Sequence, residues 1–427
     1  MHLFLTLTAG SSHGPSGVPQ VLLLLAFILA SAKLAGELAQ RFGQPAVLGE
    51  LMVGIVLGNV PLLGGPDVSH LAQNETFAIL AELGAILLLF HVGLESTPRE
   101  MMAVGGRAAA VASVGVVTPM LLGFGVGELL RPHDSWMLHA FLGAMLAATS
   151  VGITARVLKD AGAVKTPFAR IILGAAVIDD VLGLLVLAVI SGIITAAGTG
   201  QALGWAAVAS IVLKAFVFLV GALVVGSLLS PRLFRAALAL QSSGVVLALS
   251  LSLCFAFSYL ALVAGLAPIV GAFAAGLVLE EVHFEGHVGR GEQPLHLSLE
   301  PLIALFVPVF FVRMGMLVDV RSFVSPAVLG FATLLTVAAI LGKLACGLAV
   351  PKGLSRLTVG LGMMPRGEVG LIFAGIGAQL MLGGRPVIDG GTYAAAVFMV
   401  VATTMATPPL LLWSMRRRVP AGAEKLP

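Results

Sequence analysis

Apolar runs bounded by Gly, Pro or charged residues recur thirteen times along the chain, at roughly 18–40, 46–63, 75–94, 103–129, 137–158, 168–194, 205–229, 241–259, 262–282, 298–317, 327–350, 355–381 and 391–415. An α-helix needs about twenty predominantly apolar residues to cross a hydrocarbon layer of about 30 Å. The pattern therefore predicts an all-α polytopic membrane protein with about 13 transmembrane helices. The division between the eighth and ninth runs is the least marked. No soluble domain, low-complexity tract or long linker interrupts the spans, and the longest connection, Glu281 to Glu300, is mixed in charge. Met1 to Gly17 lacks a basic region and reads as a short polar tail, not a cleaved signal. The stretch after the last span is too short for a large regulatory domain.

Basic residues give an independent check, because cytoplasmic loops retain Lys and Arg. With the tail bearing Arg416, Arg417, Arg418 and Lys425 inside, thirteen spans put the amino terminus outside. Arg41, Arg99, Arg107, Arg156, Lys159, Lys165, Arg170, Arg232, Arg235, Arg290, Lys352 and Arg356 then join the tail on the inner side, sixteen basic residues in all. Only Arg131, Arg321 and Arg385 fall outside. The spans also divide as six, one and six, and the two groups of six begin on opposite sides. That is the inverted-repeat layout common among secondary transporters.

Composition agrees: 11% charged and 58% hydrophobic residues, with a mean hydropathy of +1.05, lie far from the globular norm of roughly 25% charged. A net charge of +3 gives no footing for nucleic acid. Cys254 and Cys346 sit in apolar segments without metal-ligand or disulfide spacing and read as small core residues. Nothing in the chain asks for a cofactor.

The chemistry concentrates in a few polar residues at membrane depth. The run Ile171 to Ile190 carries Asp179 and Asp180 at its middle. Acids there are expensive and usually mark an ion or proton pathway; the blander reading is a core acid satisfied by a neighbouring Lys or Arg. Lys343 lies well inside its span and wants an anion, whereas Lys33 is near enough to a helix end to snorkel. Span five clusters Thr149, Ser150, Gly152 and Thr154, and span twelve is interrupted by Pro365, Arg366, Gly367 and Glu368. Proline removes a helical N–H and clashes with the preceding turn. Broken helices at matching places of two halves point to a transport site, although Gly, Ser and Thr in span five would also serve close helix packing.

Taken in order, TSVGITARVL at 149–158, Asp179-Asp180, Lys343 in ILGKLACG and MMPRGEVGLI at 363–372 resemble the monovalent cation:proton antiporter superfamily, most of all its electrogenic bacterial sodium/proton antiporters of the NapA type. AELGAILLLFHVGLE at 81–95 and PVFFVRMGM at 308–316 extend the resemblance over essentially the whole chain. It implies a homodimer in which core helices, including two crossed broken helices, move against a scaffold to expose the ion site alternately. The chain would then divide into an outer tail (1–17), first-repeat scaffold (18–102), first-repeat core (103–197), linker helix (198–230), second-repeat scaffold (231–325), second-repeat core (326–415) and cytoplasmic tail (416–427). By position, Asp180 would be the cation ligand and proton carrier, and Asp179 the acid paired with Lys343 in the empty site. Thr149 and Ser150 would stand beside the sodium ion, and Arg366 and Glu368 would belong to the second interruption. Exchange of two protons for one sodium ion is implied as well.

The residues support that chemistry. Carboxylate, hydroxyl and carbonyl oxygens suit a hard cation, and burial beside a like charge favours the protonated acid, so proton and metal compete for the same oxygens. Arg313 departs from the family pattern, where a small or neutral residue is usual. We expect it to pair with Glu82 or Glu95, or else to snorkel outward. The alternatives are a potassium/proton antiporter of the same fold, an intramembrane aspartyl protease and a passive channel. The protease needs two facing carboxylates, and neighbours on one helix do not face each other. No filter or charge ring for a channel is evident. His91, His283, His287 and His296 could sense pH, though the last three read more simply as part of a solvated face.

Overall fold

Helix ends in this chain fall where the sequence punctuates it. The computed structural model describes residues 17–65, 71–72, 74–95, 98–164, 166–198, 205–238, 244–280, 295–350 and 354–416. Lys165, His283, His287, Arg290, Lys352, Arg417, Arg418 and Lys425 lie outside the described residues, as do positions 1–16 and the loop after residue 280; so do the side chains of Arg99, Arg235 and His296. In order come α1 (Gly17–Arg41), α2 (Ala46–Gly58), α3 (Glu75–Glu95), α4 (Pro98–Leu130), α5 (Trp136–Ala147), α6 (Val151–Asp160), α7 (Pro167–Gly198), α8 (Trp205–Leu238), α9 (Val245–Val263) and α10 (Pro268–Glu280). They are followed by α11 (Leu295–Met316), α12 (Pro326–Leu344), α13 (Arg356–Gly362), α14 (Glu368–Gln379), a two-residue hairpin of β1 (Met381–Leu382) and β2 (Arg385–Pro386), and α15 (Gly390–Arg416). Proline at the first position of α4, α7, α10 and α12 presets φ where no N–H is needed. Among the described residues ten helices are long and apolar enough to cross a membrane, and Ala46–Gly58, Pro268–Leu279 and Glu368–Gln379 are shorter apolar helices, so the protein is a polytopic helical membrane protein.

The eighth and ninth runs divide later than the apolar pattern indicates. Expected at 241–259 and 262–282, they form α9 four residues further on and α10 from a start six residues later to Glu280. Gly244, at the N-cap of α9, and Gly265, just past its C-cap Ala264, hold φ of 76° and 80°, left-handed backbone that bounds the helix at both ends, and Pro268 opens α10. Hydropathy alone does not register backbone of that hand.

Two units can be distinguished. The first comprises the chain up to Leu88 together with Leu299–Ser322. In it α1 packs on α2, and α2 meets α11 at glycines: a Cβ on Gly54 would collide with the Val312 carbonyl and one on Gly315 with the Leu51 carbonyl. Small residues of this kind let membrane helices touch backbone to backbone. Lys33 is exposed, and Arg313 Nε donates to the Ala72 carbonyl at 3.0 Å.

The second unit comprises Leu89–Ser298 and the chain from Phe323 onward. Here α4 packs against α5, α7 and α12, and α12 against α15. Helices α8 to α10 belong to it. At one end of these helices Arg131, just past α4, donates to Asp389 Oδ2 at 2.6 Å and to Thr392 Oγ1, and its Nε stands 3.0 Å from Asp134. Burial alone would raise the Asp389 carboxyl, but hydrogen bonds from Arg131 and Thr392 hold it below the ordinary carboxylate range.

Candidate functional site

The site lies inside the second unit, where two helices are interrupted. Helix α5 stops at Ala147; Ala148 and Ser150 are extended, and α6 begins at Val151. Helix α13 stops at Gly362, and α14 begins at Glu368 after Met363–Gly367. Each break leaves carbonyls at one helix end and N–H groups at the next without intrahelical partners, and buried groups of that sort must be satisfied elsewhere. The two breaks satisfy each other. Ser150 N donates to Pro365 O at 2.9 Å, Thr154 Oγ1 to Gly362 O at 2.6 Å and Thr149 Oγ1 to Met363 O at 3.4 Å. Ser150 Oγ donates to Glu368 Oε2 at 2.7 Å, which fixes that acid in the first turn of α14, where the helix dipole favours negative charge. Gly367 permits the approach: a Cβ there would stand 2.6 Å from Ser150 Oγ.

Arg366 completes the crossing. Its guanidinium is fully buried and donates to the Ala148 carbonyl at 2.8 Å and the Ala339 carbonyl at 3.2 Å. Ala148 caps α5, so the cation sits at the negative end of that helix. Thr404 Oγ1, from α15, donates to Arg366 O at 3.3 Å.

Helix α7 brings the two aspartates to this region. Asp179 is wholly buried and accepts a hydrogen bond from Lys343 Nζ, on α12, at 2.7 Å; Lys343 is wholly buried too. Oδ2 of Asp179 has no hydrogen-bond partner. Gly115 of α4 leaves the space, since a Cβ there would stand 3.4 Å from both Asp179 Oδ1 and Lys343 Nζ. Asp180 is 9% exposed and, among the described residues, makes no hydrogen bond through its carboxylate. Asp179, Glu368 and Lys343 all stand within electrostatic reach of it. Among the described residues the site thus gathers three acids and two bases: Lys343 holds Asp179, Ser150 holds Glu368, Arg366 holds backbone carbonyls, and Asp180 is left without a donor.

Of the residues singled out in the sequence, Asp179, Asp180, Lys343, Thr149, Ser150, Glu368 and Arg366 come together here. Glu95, with Oε1 3.3 Å from His91 Nε2, stands at the edge of the site within electrostatic reach of Glu368, and Glu82 is an exposed residue of the first unit. The sequence reading did not indicate Thr404, Gly115 or the carbonyl partners of Arg366.

Residues 24–413 match the family model described as sodium/hydrogen exchanger, transmembrane. The chain is similar to the high-affinity Na(+)/H(+) antiporter NhaS3 of Synechocystis sp., at 38% identity over 95% of this chain and 91% of that protein. It is also similar to the Na(+)/H(+)-K(+) antiporter GerN of Bacillus cereus, at 35% identity over 91% and 95%. Among solved structures it is similar to the sodium proton antiporter MjNhaP1 from Methanocaldococcus jannaschii at pH 8, with a TM-score of 0.73 over 93% of this chain and 99% of that one. Identity there is 18%, so this likeness speaks for the fold alone.

Proposed function

We propose, for a chain that belongs to the transmembrane sodium/hydrogen exchanger family, that it exchanges sodium ions for protons across the membrane as a secondary transporter, not an enzyme. The observation that carries the reading is the contrast within the aspartate pair: Asp179 is held by Lys343 at 2.7 Å, and its neighbour Asp180 has no hydrogen-bond partner among the described residues. A buried carboxylate without a partner must take up either a proton or a metal cation. Competition for Asp180 is then sufficient for exchange, provided the empty charged site does not cross. Thr149 and Ser150 stand at the first helix break as further oxygen ligands, and Glu368 adds negative charge to the entering path. Arg366 offsets part of that charge and holds the crossing rigid.

In this reading cation entry loosens the Asp179–Lys343 pair. Asp180 and the lysine then release one proton each, the Asp179 carboxylate being ionised already in the pair. Two protons for one sodium ion moves one net charge, and a potential of 100 mV contributes about 2.3 kcal/mol to it. Thirteen spans in two inverted six-helix repeats, an outside amino terminus, a homodimer and a core moving against a scaffold all belong to the proposal. Pairing of the two breaks, one in each half, supports the repeats. Arg313 pairing with Glu82 or Glu95 belongs to it too, and Arg313→Ala should lower thermal stability while leaving some exchange.

Cation-dependent proton release from proteoliposomes, with sodium, lithium and potassium, tests the activity and separates it from potassium/proton exchange. Asp180→Asn should reduce release to background. Full activity of that variant would remove the mechanism.

A further inference from the structure

One cavity in the second unit lies away from the aspartates. It is a groove of about 880 Å3 along α12, closed at one end by Arg131, Asp389 and Thr392. Its floor is apolar, with Val328, Leu329, Leu334 and Val337 among the residues that line it. Leu329 and Val337 are 44% and 43% exposed, so the groove opens sideways from a membrane-spanning helix.

Two independent features define the occupant. The first is depth. From Pro326 to Val337 a helix rises about 16 Å, close to half of a hydrocarbon layer of about 30 Å, or one leaflet. The second is charge. Helices α4 and α15 meet the membrane surface at Arg131 and Asp389, whose side chains are 30% and 52% exposed. Arginine offers five N–H donors in a fork suited to phosphate. Asp134, Thr392 and Asp389 engage three of them, which leaves two. Asp389 and Asp134, both partly exposed, can accept from a primary ammonium group.

We propose that this groove binds one phosphatidylethanolamine molecule, one of its two acyl chains lying along α12, its phosphate on Arg131 and its ammonium on Asp389. An acyl chain alone would be an ordinary annular lipid. The cation–acid pair at the mouth is what selects a head group carrying both charges, over an anionic head with no ammonium to place beside Asp389 and Asp134.

Native mass spectrometry of the purified protein with equal amounts of phosphatidylethanolamine and phosphatidylglycerol tests this. Wild type should retain one phosphatidylethanolamine in preference. Val337→Trp or Leu329→Trp, which fill the groove from an exposed position, should lower retention of both lipids about tenfold, with unchanged thermal unfolding as the control for folding. Asp389→Asn should keep chain binding and reduce the head-group preference about fivefold. Equal retention of the two lipids by wild type, or undiminished binding by both tryptophan variants, would overturn the proposal. Proton release plays no part in this readout, so it stands or falls separately from the exchange activity.

Discussion

Two ion pairs in the second unit have nearly the same length and opposite character. Lys343–Asp179 measures 2.7 Å and Arg131–Asp389 2.6 Å. The first is wholly buried, keeps one carboxylate oxygen without a partner, and has a second acid beside it in sequence. The second is partly exposed at the helix ends, and Thr392 joins it through both backbone and side chain. Contact distance does not separate the buried pair from the partly exposed one. What separates them is the supply of donors: each Asp389 oxygen has a donor and the side chain is half exposed, whereas Asp179 and Asp180 are left short of donors in a place where water is scarce.

The most severe way to break the comparison is to remove the buried cation. Lys343→Ala leaves an uncompensated carboxylate and should cost about 3–5 kcal/mol in stability, read as a lower melting temperature in detergent. The double variant Lys343→Ala with Asp179→Asn should recover most of it, since both charges are then gone. A smaller loss is expected where backbone, not a side chain, is the partner. Arg366→Ala strips donors from the carbonyls of Ala148 and Ala339 and should cost about 1–3 kcal/mol, with Arg366→Lys restoring only part because a single ammonium lacks the fork.

The outer pair sharpens the contrast from the weak end. Asp389→Asn should cost at most about 1 kcal/mol at neutral pH, as partly exposed pairs do. Its pH dependence has a definite sign. The Asp389 carboxyl is held below its ordinary value, so its contribution is complete above about pH 4, near the unfolded value, and drains away as pH falls through the lower folded value. Melting followed from pH 6 to pH 3 should therefore converge for wild type and Asp389→Asn at the acid end.

Much of this architecture was legible in the sequence because a bilayer demands length and apolarity, which are one-dimensional properties. Pro167 and Pro326 stand within one residue of the starts expected at 168 and 327, and the Pro-Arg-Gly-Glu interruption announces a break. The slip at α9 and α10 came from left-handed glycines, which hydropathy does not register. At the site, the carboxylates and Lys343 are conspicuous because charge at membrane depth is rare. The partners of Arg366 are not, because a carbonyl acceptor has no residue signature and every position offers one. Arg131 and Asp389 lie 258 residues apart. As a basic residue between spans Arg131 counted only toward orientation, and pairing over such a distance follows from tertiary packing alone.

The stitching of one helix break to the other has a mechanical side. Ser150, Thr154 and Arg366 tie the strands of the crossing in both directions, so neither interrupted helix can slide past its mate without several bonds parting at once in oil. The crossing is a rivet, not a bearing: whatever shifts during a transport cycle must carry both half-helix pairs together, and flexibility has to be sought in the connections around them.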